Sequence, residues 1–400
     1  MSTRPLRIGL IGAGFLAATR ARCWRRVHGT RVALTAVTAR RPERAQEFAR
    51  RQGIAHVATD VAALLRRDDV DLVDLCVPNA LHRECAVAAA QAGKHIVCTK
   101  PLTAYVGQDL PATASDAEVA GRDPHTMLAL AVADADAMVT AAARAGVRLL
   151  YGENWLFAPS VTRAAALLAA STAVLLDLRG WEQHSGSHSP FSRQWRTAGG
   201  GALLRLGSHP IGAMLALKHQ EGLRRRGTPT RVVAVTAEVT DLTRARTQDR
   251  TPAPAGYGVG ENWGCAVLAF DDGTRGVAYG ADTCLGGMQS RLELYASDCQ
   301  FQCNLSPQDG LRAFAPTDGT FGQEYLMEKL STQAGWSTPM LDEDWSSGQQ
   351  AMCEAFAAAA ATGAPCLSDG VLGREVVRVV YAAYVSAREG RRVVLPAPAD

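Results

Sequence analysis

No uncharged apolar stretch in the 400 residues reaches the roughly 18 that a membrane span requires. There is no dense basic run either. Lys and Arg number 42 against 39 Asp and Glu, a net +3, and Arg224-Arg225-Arg226 is the longest basic cluster. Affinity for nucleic acid rests on many phosphate contacts, so neither nucleic acid nor a membrane is expected as a partner. The ten cysteines include no CxxC pair, and Cys299 and Cys303 have no companion His or Cys cluster. Reduced core thiols are therefore expected, with no metal site and no disulfide framework. The opening MSTRPLRIGLIGAG lacks the apolar stretch of a secretory signal, so the expected compartment is the cytoplasm. With 47% hydrophobic residues the chain has ample material for a core, and its length suits about two or three domains.

The first hundred residues alternate strand and helix patterns. Arg7–Ile11 is a β-rich run, closed by Gly12-Ala13-Gly14 and followed by a helix that opens on Phe15 and Leu16 and reaches about Val27. Val32–Thr38 is a second strand, Pro42–Gln52 a helix with proline at its first turn, Val70–Pro78 a third strand, Ala80–Gly93 a helix and His95–Cys98 a fourth strand. Strands and helices alternating at this spacing predict a parallel, doubly wound sheet. The expected class is α/β, with a Rossmann dinucleotide-binding domain over residues 1–155.

Within it, Gly12 permits the tight turn, Gly14 lets the backbone approach a pyrophosphate, and Ala17 is small enough for close helix–strand packing. The free N–H groups at the helix start suit phosphate. No Gly-Lys-Ser/Thr follows, which excludes a Walker loop. The acid that usually meets the ribose 2′-OH is missing: the second strand ends Thr38-Ala39-Arg40-Arg41. Arg40 and Arg41 could accommodate a 2′-phosphate, which favours NADP.

The run VDLVDLCVPNALHRECAVAAAQAGKHIVCTKP over Val70–Pro101 and the glycine-rich Gly199–His209 (GGGALLRLGSH) resemble the Gfo/Idh/MocA family of sugar and cyclitol oxidoreductases. The matching residues are Pro78, Asn79, His82, Gly93-Lys94-His95 and Thr99-Lys100-Pro101. The resemblance implies a C-terminal α/β domain, residues 156–400, with a large, mainly antiparallel sheet for substrate binding and oligomerisation, its last helix packing back on the Rossmann domain. It implies Lys100 and His209 as catalytic residues, and Pro78, Asn79, His82, Lys100 and Pro101 beside the cofactor. Alcohol oxidation needs a base for the O–H proton, a role that histidine and a desolvated lysine can both fill.

Three departures from the family pattern stand out. Arg205 occupies the place of the usual Asp four residues before the histidine, so it is left either to grip substrate or to pair with a remote acid. Pro210-Ile211-Gly212 follows the histidine where an acid is common. Thr103–Thr126 is an insertion rich in Gly, Pro, Asp and Ser, expected as a loop.

Gly152-Glu153-Asn154-Trp155 follows a strand ending at Leu150, and Trp181–Pro190 (WEQHSGSHSP) is expected as a polar loop. Asn154, Trp155, Glu182 and His184, with Lys100, Arg205 and His209, are the expected substrate contacts, since aromatic faces among polar groups suit carbohydrate. His184 and His188 have no third ligand spaced for zinc. The segments TKPLTAYVG, GSHSPFSRQW and GGGALLRLGSHP look like the family branch that oxidises C3 of glycoside-bound sugars, which implies NAD as cofactor, NADP being the rival, and a place in aminoglycoside antibiotic biosynthesis. A ketosugar reductase, an NAD-recycling glycosidase of the same fold and a non-catalytic dinucleotide sensor are the alternatives. Val232–Thr240, Trp263–Phe270, Thr274–Gly280 and Ser290–Ala296 read as antiparallel strands with a turn at Asp271-Asp272-Gly273, and Thr243–Gly260 as a loop closing over substrate. A sheet face short of covering helices implies a homo-oligomer, dimer or tetramer.

Overall fold

The computed structural model describes residues 4–187, 189–242, 260–330 and 332–396. The first sheet has six parallel strands: β1 (Leu6–Ile11), β2 (Val32–Thr38), β3 (His56–Val57), β4 (Leu72–Leu75), β5 (His95–Thr99) and β6 (Leu149–Gly152), in the order β3-β2-β1-β4-β5-β6. This is the doubly wound arrangement that the alternating pattern predicts. Ile8, Leu10, Leu72 and Val97 are buried among the helices Phe15–Arg25 and Pro42–Gln52. Two boundaries differ from expectation. The third long strand is only Leu72–Leu75, and the helix after it begins with a 3₁₀ turn, Asn79–Leu81. The short β3 at the sheet edge is an addition.

The second sheet contains β7 (Leu175–Gln183), β8 (Val232–Thr240), β9 (Trp263–Phe270), β10 (Arg275–Ala281), β11 (Gln289–Ala296) and β12 (Gln300–Asn304). A ribbon, β13 (Ala313–Ala315) with β14 (Gly335–Ser337), stands apart, and β15 (Val393–Val394) closes one edge. The order is β12-β11-β7-β10-β9-β8-β15, antiparallel except that β7 and β10 run parallel. Glu182 pairs with Gly280 and Gln183 with Ala281, so His184 and Asp282 leave the sheet side by side. Trp181–Gln183 is thus the end of a strand, where a polar loop is expected from composition. Thr243–Gly260 lies outside the described residues except for Gly260, and so does His188.

The insertion Thr103–Thr126 is mainly loop and mostly at the surface, as expected, but it is anchored in the core at its first residues and at Val119. Thr103, Ala104, Tyr105 and Val119 are buried, the Tyr105 N–H donates to Tyr381 Oη at 2.6 Å, and Ser115 and Glu118 cap a short helix, Asp116–Ala120. Pro124–Arg144 is long and apolar enough to cross a membrane by length and composition. Its Asp134 and Asp136 pair with Arg83 and Arg374, and Met127, Ala131, Ala135 and Met138 are buried, the placement of a core helix.

Candidate active site

A cavity of about 700 Å³ opens where the carboxyl ends of β1, β4, β5 and β6 face the end of β7 and the start of β11. At its dinucleotide end Gly12 has φ +119°, and a Cβ there would lie 2.2 Å from the Cys76 carbonyl oxygen, so only glycine fits. Gly14 caps the helix Phe15–Arg25 without a side-chain hydrogen bond, and nothing lies within 4 Å of where its Cβ would be. Gly14, Phe15 and Leu16 line the cavity, and no acid occupies the first turn. This open cradle of unsatisfied N–H groups fits a pyrophosphate.

Asn79, Lys100 and Pro101 line the same cavity, and Asn79 Nδ2 donates to the Ala198 carbonyl at 2.7 Å. Pro78 caps the 3₁₀ turn just behind. Arg40 and Arg41 are exposed beyond the end of β2, outside the cavity wall. His82 is fully buried, its Nδ1 3.0 Å from the Pro101 carbonyl oxygen and its Nε2 3.1 Å from that of Val77. Its ring is engaged on both sides by backbone. Where a cofactor contact is expected, the structure places a strut between the ends of β4 and β5.

The chemistry gathers around His209. The stretch Leu203–Gly207 is a π-helical turn that runs into the helix Ser208–Arg226. Such wide turns leave carbonyls unmatched, and Pro210, five residues after Arg205, brings no N–H to close it. The Arg205 carbonyl instead accepts from Lys100 Nζ. His209 stacks on Trp155, with centroids 5.8 Å apart and planes 7° from parallel. Its Nδ1 lies 2.7 Å from Glu153 Oε1, and its Nε2 3.8 Å from Glu182 Oε2. Trp155 Nε1 donates to that same Glu182 oxygen at 3.1 Å.

Glu153 is the residue that sequence reasoning missed. It sits immediately after β6, buried, with its Oε1 also accepting the Trp155 backbone N–H at 3.1 Å. The helix lacks the family's orienting carboxylate, and Glu153 supplies one from 56 residues away. The available signal was a lone acid at a strand's carboxyl end inside Gly152-Glu153-Asn154-Trp155.

Burial drives this cluster towards neutral forms. Removal from water pushes the Lys100 ammonium down, though Glu182 and Glu153 oppose the shift. Desolvation, with the charges of Lys100 and His184, holds His209 well below the usual imidazole range. The same desolvation raises Glu153, and lifts Glu182 to about 7. A neutral imidazole is a proton acceptor, which is what oxidation of an alcohol requires.

A pH dependence follows. Glu182 is protonated below about pH 7 and ionised above it. Ionised, it stabilises an imidazolium forming at His209, so kcat/KM should rise with pH through a limb near 7. In Glu182→Gln that limb should vanish while the enzyme stays folded. A limb of unchanged position would assign it to another group.

Arg205 and His184 meet at Asp282. The Arg205 guanidinium pairs with the buried Asp282, and His184 Nδ1 is 3.6 Å from the other Asp282 oxygen. The ion pair with an acid of the second sheet is therefore the alternative that the structure selects for Arg205, although its side chain still borders the cavity. Asn154 Nδ2 donates to the Ser347 carbonyl at 2.7 Å, so its amide anchors the wall that it lines. The segment 324–349 forms the remaining side, tied across by Arg22 to Asp344 and by Arg26 to Asp342. Composition gave no hint of that wall. Among the described residues no cluster of His, Cys, Asp and Glu is arranged for a metal.

Fold and cavity together set a doubly wound sheet, with a glycine turn that fits a pyrophosphate, against a second, mainly antiparallel sheet. Residues 6–120, under a third of the chain, match the Gfo/Idh/MocA model, described as an oxidoreductase family with an NAD-binding Rossmann fold. The chain is 38% identical over 103 residues to levoglucosan dehydrogenase of Pseudarthrobacter phenanthrenivorans, covering 24% of this chain and 26% of that protein. It is 37% identical over 107 residues to D-glucoside 3-dehydrogenase of Escherichia coli, covering 25% and 28%. These matches thus span about a quarter of the curated relatives' length. Across the whole molecule, the crystal structure of GenD2 from gentamicin A biosynthesis in complex with NAD superposes with a TM-score of 0.77 at 26% identity, covering 99% of this chain and 97% of that one.

Proposed function

We propose that the protein oxidises a secondary alcohol, at C3, of a sugar or glycoside, with NAD+ as hydride acceptor. The observation that carries this is His209 held between Glu153 and Glu182, with Lys100 beside it, at the inner end of the dinucleotide cavity. NAD+, when bound, takes the hydride. Glu153 fixes the plane of His209 and shares a proton at Nδ1, and Nε2 receives the hydroxyl proton. Lys100, positioned by the Arg205 carbonyl, hydrogen-bonds the oxygen as its charge develops. Trp155, stacked on His209, shields the pair from water.

Likeness to GenD2 and to a D-glucoside 3-dehydrogenase supports C3 of a glycoside as the site of oxidation, in aminoglycoside biosynthesis. A homo-oligomer belongs to the same reading, since Leu176 and Val267 stand exposed on the second sheet. The test is reduction of NAD+ and NADP+ over free sugars, inositols, glycosides and aminoglycosides. Steady production of NADH on a glycoside is expected. Binding without turnover would indicate a sensor, and aglycone release without net NADH a cofactor-recycling glycosidase.

The cofactor preference has its own test. Ala39 follows the end of β2, beside the exposed Arg40 and Arg41. Ala39→Asp should strengthen NAD+ binding through the ribose hydroxyls and repel a 2′-phosphate. Measured dissociation constants should move in opposite directions for NAD+ and NADP+. If NADP+ affinity stays put, the ribose lies elsewhere.

A further inference from the structure

The cavity roof holds a charged pair that the catalytic cluster does not use. Lys329 is the one non-glycine residue with positive φ among the described residues, at 66°. It is also buried, only 6% exposed, and its ammonium lies 3.0 Å from a carboxylate oxygen of Glu328. Both residues line the cavity together with Lys100, Glu182 and His209. The left-handed conformation and the burial of an ammonium each oppose folding, and strain of this kind concentrates where a ligand is held. The roof pair also lies within electrostatic range of the cluster, since Glu328 raises Glu182 and Lys329 lowers it.

We propose that Glu328 and Lys329 form a specificity clamp for a ring hydroxyl pair next to the carbon being oxidised. The Glu328 carboxylate accepts from one hydroxyl, and the Lys329 ammonium donates to its neighbour. Adjacent hydroxyls on a sugar ring offer one donor and one acceptor at a spacing similar to that of this ion pair. The pair lines the same cavity as His209, so holding the ring at its flank turns the reacting carbinol to the base. The clamp rests on the sugar-oxidising activity proposed above and specifies which part of the sugar is read.

The experiment compares wild type, Lys329→Met, Glu328→Gln and Lys329→Gly on a glycoside and on its deoxy analogue lacking a hydroxyl beside the oxidised position. In each variant KM for the glycoside should rise about ten- to a hundredfold, the size of a lost charge-assisted hydrogen bond, with kcat and NAD+ affinity little changed. The deoxy analogue, a poor substrate for wild type, should lose its disadvantage in the variants. Lys329→Gly separates binding from folding, because glycine adopts this backbone freely. Its thermal midpoint should rise while its KM rises as in Lys329→Met. Unchanged KM and undiminished discrimination against the deoxy analogue would overturn the clamp. Failure of the underlying activity shows differently: wild type itself would reduce no NAD+ on any sugar or glycoside, and the clamp would fall with it.

Discussion

Lys100→Ala and His209→Ala should each lower kcat by at least about a hundredfold, the range for loss of an acid or base. NAD+ affinity should survive in both, because the phosphate cradle is built from Gly12, Gly14 and the helix start, on another part of the wall. Glu153 Oε1 is also held by the Trp155 backbone N–H and Glu182 Oε2 by Trp155 Nε1, so neither carboxylate should take the place of a truncated His209. Lys100 and His209 act on one proton and one oxygen, so the double variant should be little worse than the poorer single one. Steady-state rates at saturating glycoside, with NAD+ dissociation constants alongside, check both statements. A near-wild-type kcat in either variant would remove that residue from catalysis.

What the sequence makes legible is short-range. Val32–Thr38, Pro42–Gln52, Val232–Thr240 and Trp263–Phe270 have the bounds that alternation and helix-start signals predict. Each is decided by residues within itself, through alternating burial or a proline at the first turn. The glycine turn is legible because Gly12-Ala13-Gly14 stands directly between the β1 pattern and a helix start, although the contact that demands glycine at 12, with the Cys76 carbonyl, is a distant one.

Elements defined by distant partners were not legible. The strand β7 reads LLDLRGWEQ, with Asp, Arg, Gly and Glu among its apolar residues, and looks like a loop at its end. Its glycine is demanded from outside: a Cβ at Gly180 would lie 2.6 Å from Pro210 Cβ, where the site helix crosses the sheet. That crossing puts Glu182 under His209. The same holds for Glu153, whose partner is 56 residues ahead. A carboxylate can orient a histidine from any element that ends nearby, so absence of the family's acid at Arg205 did not mean absence of the function. His82 shows the converse, a motif residue kept for structure, its ring between backbone carbonyls.

Arg205→Asp should destabilise the protein by about 3–5 kcal/mol, the usual cost of breaking one side of a buried ion pair. The family resemblance puts Asp at this position, which makes the substitution look like a restoration. The structure gives the opposite sign. Asp282 is fully buried, and its partners on this wall are the Arg205 guanidinium and, 3.6 Å away, His184 Nδ1. A second carboxylate at 205 would face the first in place of the guanidinium, in a site where like charges are poorly screened. His209 would gain nothing, because Glu153 already holds its Nδ1 and the π-helical turn separates the two side chains' tasks. The Lys100 contact uses the Arg205 backbone carbonyl, so it should persist as far as the turn stays folded. Urea unfolding monitored by tryptophan fluorescence reads the loss as a lower midpoint at constant slope. The double variant Arg205→Leu with Asp282→Leu removes both charges and should recover most of the stability. An unchanged midpoint in Arg205→Asp, or faster oxidation at unchanged KM, would show that the arginine neither holds this wall nor serves the site.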